Sequence, residues 1–141
     1  MIEPSIVLVE DNSADVHLVK EALSEHLVSY TLTVIKDGEK AIQHIDDVDN
    51  QTREGPSLVI LDLNLPRRSG RDVLRRLRLS ARCADVPVVI LSSSNAEKDR
   101  EEAQSLGATL YITKPTDLAQ FLNIGAIIKK LIEAAPSGPL N

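Results

Sequence analysis

VVILSSSN, residues 88–95, is a run of four apolar residues, three of them β-branched, that breaks abruptly into hydroxyls. A strand with one wet face alternates apolar and polar residues, whereas an unbroken apolar run suits a strand covered on both faces, as in a parallel sheet. Working outward, short apolar runs of the same kind predict strands at Ser5 to Glu10, Thr31 to Ile35, Ser57 to Leu61, Val86 to Leu91 and Leu110 to Thr113. Amphipathic stretches fill the gaps and predict five helices near Ser13 to His26, Gly38 to Asp47, Gly70 to Arg82, Glu97 to Leu106 and Asp117 to Ala134. Strict alternation of strand and helix, with right-handed crossovers, gives an α/β fold: a doubly wound five-stranded parallel sheet with five helices. The expected organisation is one domain over residues 1–135 and a disordered tail, PSGPLN, over 136–141.

Composition agrees and narrows the function. The chain has 141 residues, 43% of them apolar, enough for one core and too few for two ordinary domains. Sixteen Lys and Arg against 21 Asp and Glu leave a formal charge of −5, which argues against a general nucleic-acid binder. No apolar run approaches the roughly 20 residues of a membrane span, so no membrane association is expected. A single cysteine, Cys83, and no leader-like start point to a reducing, cytoplasmic setting.

In doubly wound folds ligands bind beyond the carboxyl ends of the strands, so the residues that follow each strand carry the chemistry. The first strand ends in Glu10-Asp11, the third in Asp62, the fourth in Ser92, and the fifth in Thr113-Lys114-Pro115. Each alone reads as a solvated turn, a helix cap or a surface charge. Together they put three carboxylates, a hydroxyl and an ammonium on one rim of one sheet. At about 4 Å and an effective dielectric near 20, each carboxylate pair repels by about 4 kcal/mol, so a cation is needed among them. Oxygen ligands without Cys or His favour Mg²⁺ or Mn²⁺ over Zn²⁺. Lys114 balances further charge, and an ionised Asp beside metal and ammonium is a nucleophile suited to aspartyl-phosphate chemistry.

These residues resemble the receiver domain of two-component response regulators, the CheY-like fold, over about residues 4 to 134. The family's acidic pair falls on Glu10 and Asp11, its phosphoacceptor on Asp62, its switch hydroxyl on Ser92, its lysine on Lys114 and its switch aromatic on Tyr111. The spacings Asp62 to Ser92 and Ser92 to Lys114, 30 and 22 residues, match the family, as do Pro66 and Gly70 after Asp62. The resemblance further implies a metal-binding backbone carbonyl at Asn64, a cis Lys114-Pro115 bond, and a phosphoryl lifetime tuned by Asn64 and Ser94. Ser93 and Ser69 depart from the commonest residues at their positions without removing a reacting group. LDLNLPRRSG (61–70), VVILSSSN and YITKPTDLAQF (111–121) resemble, more narrowly, stand-alone receivers of phytochrome-type sensor kinases.

The function implied is that of a phosphoacceptor signalling protein rather than a turnover enzyme. Its partners would be a sensor histidine kinase or a histidine phosphotransfer protein, and its output phosphorylation-dependent partner binding or dimerisation. Rival readings are weaker. A flavodoxin-like cofactor binder needs a phosphate cradle after the first strand, where Glu10 and Asp11 would repel phosphate. G-x-S-x-G and the P-loop pattern are both missing. A receiver used only for docking would lack some part of this site. Asp46, Asp47 and Asp49 lack the glycine and closing Glu of a calcium loop, and His17, His26 and His44 show no ligand spacing.

Two surface features remain. Seven Arg between Arg67 and Arg82 suggest either a solvated helix face or a dock for an acidic partner. On the last helix Leu118, Phe121, Leu122, Ile128 and Ile132 form one apolar stripe and Ile124, Ile127 and Leu131 a second. The second stripe predicts a homodimer built on this helix, unless the first helix covers it.

Overall fold

The computed structural model describes residues 3–134. Five strands, β1 (Ser5–Val9), β2 (Thr31–Ile35), β3 (Leu58–Leu61), β4 (Val88–Ser92) and β5 (Leu110–Thr113), form one sheet in the order β2-β1-β3-β4-β5, every pair parallel. The helices are α1 (Ser13–His26), α2 (Gly38–Asp49), α3 (Gly70–Leu79), α4 (Glu97–Ser105), and a last helical stretch interrupted at Asn123 into α5 (Leu118–Leu122) and α6 (Ile124–Ala134). The expected sheet and its helices are therefore present, and the proposed tail lies outside the described residues.

Successive strand residues point to opposite faces, and each strand divides its side chains accordingly. Ile6, Leu8, Leu58, Ile60, Val89 and Leu91 pack with Val16, Val19 and Leu23 of α1, Phe121 of α5, and Ile124 and Ile128 of α6. Val7, Val9, Val59, Leu61, Val88 and Ile90 pack with α2, α3 and Ala103 of α4. All five β4 residues are buried, which is why its sequence is an unbroken apolar run ending in a buried Ser92.

Caps fix where the helices start. Asn12, Asp37, Ser69 and Asp117 each accept a hydrogen bond from the backbone N–H three residues on, satisfying donors with no partner inside the helix. Helix α3 stops at Leu79 rather than Arg82, because the Ser80 hydroxyl takes the N–H groups of Arg82 and Cys83 and turns the chain. Strand β4 starts at Val88 rather than Val86, after Pro87, which has no N–H to give a neighbouring strand. Among the described residues no peptide bond is cis. The expected cis Lys114–Pro115 bond is thus trans, the isomer that X-Pro bonds favour by about 0.5–1 kcal/mol.

Of the residues expected at a dimer face, Ile124 needs correction. Gly125 lets α6 press onto α1 so closely that a Cβ there would lie 2.0 Å from the Ala22 carbonyl oxygen. This approach buries Ile124 to 2% exposure, half-buries Ile127, and brings Leu131 against the core, while Leu118 of the supposed core stripe is left 58% exposed. Helix α1 covers much of the arc that was assigned to a second copy, and Ile124 is unavailable to one.

The Arg stretch divides: Arg67, Arg68, Arg75 and Arg82 are exposed, as a solvated face requires, while Arg71, Arg76 and Arg78 are half-buried against neighbouring elements. Arg76 bonds Asp46 and Asp49 of α2, Arg71 bonds Asp99 and Glu102 of α4, and Arg78 donates to the backbone carbonyls of Ala84, Val86 and Gly107. Arg68 and Arg75 pair with Asp72 on their own helix or beside it. Arg71, Arg76 and Arg78 thus clip α3 to its neighbours.

Candidate phosphoacceptor and metal site

The sheet order reverses between β1 and β3, and the site forms there, at the carboxyl ends of the strands. Glu10 follows β1 with its N–H on the Ile35 carbonyl, and Asp62 follows β3 with its N–H on the Val9 carbonyl. Parallel pairing thus sets both backbones before any side chain acts. Gly70 allows the β3–α3 loop to fold over the site, since a Cβ there would sit 2.2 Å from the Asp62 carbonyl oxygen. From the other side, the Lys114 N–H donates to the Ser92 carbonyl at 2.7 Å and anchors the β5–α5 loop to the end of β4.

The side chains converge on a small volume. Oxygens of Glu10, Asp11 and Asp62 lie within 4.8 Å of one another. Glu10 and Asp62 are buried while Asp11 is exposed, which leaves the cluster open on one side. The Lys114 Nζ lies 2.9 Å from Glu10 Oε1, 2.7 Å from Asp15 Oδ2 and 3.1 Å from Asp62 Oδ2. The Asn64 N–H donates to Asp62 Oδ1 and the Asn12 N–H to Glu10 Oε2.

The electrostatics follow from this crowding. Burial, opposed by the Lys114 hydrogen bond and reinforced by the Asp62 charge, pushes the Glu10 carboxyl from 4.5 up to about 7. Burial alone would lower the Lys114 ammonium, but its bonds to Asp15 and Glu10 and the charge of Asp62 outweigh that and hold it above its ordinary value. One ammonium thus faces more carboxylate than it can neutralise. An oxygen-rich, anionic, half-open cluster fits a hard divalent cation such as Mg²⁺ or Mn²⁺, with Glu10, Asp11 and Asp62 as its carboxylates.

The remaining residues singled out in the sequence lie around this centre in distinct ways. Ser92 is fully buried, and its Oγ accepts from the Ser94 N–H at 3.2 Å. Asn64 is exposed beside Asp62. The Ser94 hydroxyl turns into the first turn of α4, donating to Asp99 and accepting from the Ala96 N–H. That bond, with the charge of Arg71, holds Asp99 below the usual carboxylate range. The half-buried Tyr111 donates its hydroxyl to the Ser94 carbonyl at 2.8 Å, with the Arg100 guanidinium 4.7 Å from its ring centroid.

Asp15 is a member of the site that the sequence reading missed. It sits in the first turn of α1, where an acidic residue is ordinarily explained by the helix dipole. Its place three residues past the Asn12 cap was legible, but nothing in the sequence aims it at Lys114.

Comparisons with known proteins agree with the geometry. The family model for the response regulator receiver domain matches residues 6–125. The response regulator Rcp1 of Synechocystis is 36% identical over 116 residues, which cover 80% of this chain and 78% of that protein. The crystal structure of the phosphorylated cyanobacterial phytochrome response regulator RcpA superposes with a TM-score of 0.86 at 33% identity, covering 99% of this chain and all of the other. The Mn²⁺-bound form of Rcp1 gives a TM-score of 0.85 at 30% identity, covering 96% of this chain and 99% of that one.

Proposed function

The chain belongs to the response regulator receiver family, and on that premise we propose that Asp62 accepts a phosphoryl group from the phosphohistidine of a sensor histidine kinase or histidine phosphotransfer protein. The observation that carries this reading is the meeting of Asp62 with Lys114 at 3.1 Å inside the Glu10, Asp11 and Asp62 cluster. The likeness to Rcp1 and RcpA supports a phytochrome-type sensor as the kinase.

Glu10, Asp11, Asp62 and the Asn64 carbonyl would hold Mg²⁺ or Mn²⁺. Bound there, the ion supplies neutralisation of charge on the phosphoryl oxygens. An Asp62 carboxylate oxygen attacks phosphorus as the P–N bond to the donor imidazole breaks, and the bonding pair returns to the imidazole nitrogen. Lys114 donates to a phosphoryl oxygen from the side of β5. Ser92, whose Oγ accepts from Ser94 here, still has its own proton to give to another phosphoryl oxygen. Water attack on the acyl phosphate ends the signal, with Asn64 beside Asp62 setting part of its lifetime.

The bond that Ser92 gains biases a switch. Hydrogen bonds to charged groups contribute about 1.5–3 kcal/mol each, whereas Lys114, already donating to Asp62, exchanges one anionic acceptor for another. A bias of that size shifts a two-state equilibrium by roughly 10- to 150-fold. Movement of Ser92 pulls on Ser94, and Ser94 holds the Tyr111 hydroxyl, so Tyr111 carries the change to the outer face of β5. There the domain signals by binding a partner or a second copy.

A small-molecule acyl phosphate with Mg²⁺, followed by intact mass, tests the reading. The wild type should gain one phosphoryl group and Asp62→Asn, nearly isosteric but a poor nucleophile, none. Equal labelling of the two would refute the assignment.

A further inference from the structure

Of the three carboxylates around Lys114, two belong to the cluster that would hold the metal and one does not. Glu10 and Asp62 are in that cluster with Asp11, while Asp15 reaches the ammonium from α1, 99 residues away in sequence. Its contact, 2.7 Å, is the shortest of the three. The backbone of Asp15 is held by the helix cap, its N–H donating to the Asn12 side chain at 3.0 Å. The Lys114 side chain is only 10% exposed, so water contributes little to holding its ammonium.

We propose that Asp15 is a positioning residue, the post to which Lys114 stays tied while its other two partners change. An ammonium has three N–H donors; here it hydrogen-bonds Asp15 and Asp62 and lies 2.9 Å from Glu10. A divalent ion draws on the Glu10 and Asp62 oxygens, and phosphorylation converts the Asp62 carboxylate into an acyl phosphate. Asp15 takes part in neither event. Its bond restrains the otherwise flexible lysine so that one N–H keeps pointing at the Asp62 side of the site, where the transferring phosphoryl oxygens arrive. It also ties the β5–α5 loop to the start of α1. This inference rests on the reading of Asp62 as phosphoacceptor.

The test compares wild type, Asp15→Ala and Asp15→Asn in the full chain. Asparagine loses the charge but keeps an oxygen that can accept from Lys114. With acetyl phosphate and saturating Mg²⁺, followed by intact mass, Asp15→Ala should label about tenfold more slowly, and Asp15→Asn should return to within about threefold of wild type. A second readout needs neither metal nor donor: the Lys114 ammonium ¹⁵N–¹H resonance in EDTA, assigned by its disappearance in Lys114→Arg. It should be protected from exchange in wild type and Asp15→Asn and lost in Asp15→Ala. Wild-type rates or a surviving ammonium signal in Asp15→Ala would overturn the proposal. So would equal slowing of both variants, because charge alone would then be the cause. A wild type that gains no phosphoryl group would instead overturn the Asp62 reading, and the ammonium resonance would still judge Asp15.

Discussion

Glu10→Gln is expected to make the metal-free protein more stable. Glu10 is 1% exposed, and its carboxyl titrates near 7 instead of 4.5, chiefly because burial disfavours the anion. A folded-state value above the unfolded one means that the stabilising contribution is complete below about 4.5 and is lost as pH rises through about 7. At 1.36 kcal/mol per pH unit over that interval, keeping Glu10 ionised costs about 3 kcal/mol near pH 8 and under about 1 near pH 5. The attraction to Lys114 is already contained in that figure. Glutamine keeps the shape and an acceptor for the Asn12 N–H but cannot ionise. For a chain of this size 3 kcal/mol corresponds to a rise in Tm of roughly 10 °C. Denaturation of both proteins in EDTA, at about pH 5 and about pH 8, should show the gap opening with pH. Magnesium at 100 times its Kd should return about 2.7 kcal/mol to the wild type and markedly less to the variant. A variant less stable than wild type near pH 8 in EDTA, or a gap that does not change with pH, would refute the reasoning.

Two further substitutions probe the scaffold. Gly125→Ala should destabilise by about 1–3 kcal/mol through overpacking against Ala22, despite alanine's better helix propensity; a melting point at or above wild type would show that α1 and α6 separate freely. Asp49 is held down to about 2 by the Ser80 hydroxyl and then by Arg76. A depressed folded value gives stability that is present above the ordinary 3.8 and lost as pH falls through about 2. Asp49→Asn should therefore melt below wild type at neutral pH, with the difference closing in acid; a constant difference in a pH series of melts would exclude the ionised carboxylate as its source.

What the sequence disclosed depended on how local the controlling physics is. Strands buried on both faces advertise themselves as apolar runs, and the parallel sheet then forces the residues after them onto one rim. Glu10, Asp11, Asp62 and Lys114 can be grouped for that reason from the sequence alone. Asp15 cannot, because its meeting with Lys114 depends on how α1 leaves β1 and where the β5–α5 loop lands. The clips made by Arg71 and Arg76 were hidden for a similar reason: their acidic partners lie 27 to 31 residues away and become neighbours only when helices pack. The last helix failed through its depth. A helical wheel shows how wide an apolar arc is but not how far a glycine lets the helix sink, and Gly125 lets α6 bury Ile124.

The turn after α3 gives this protein a built-in clock. Every molecule carries one thiol, Cys83, which is 1% exposed and whose ionisation burial pushes up, so the intact fold presents nothing for a thiol reagent to attack. It is shut in by the turn in which Ser80 receives the Cys83 N–H and is itself held by Asp49 of α2. Labelling must wait for the thiol to be uncovered, so its pace in native buffer times the opening of the structure around it. Because the thiol lies among the α2 and α3 side chains, away from the helices that cover the other face, the same stopwatch read before and after phosphorylation would report how far the signal loosens or tightens the half of the molecule that takes no part in the chemistry.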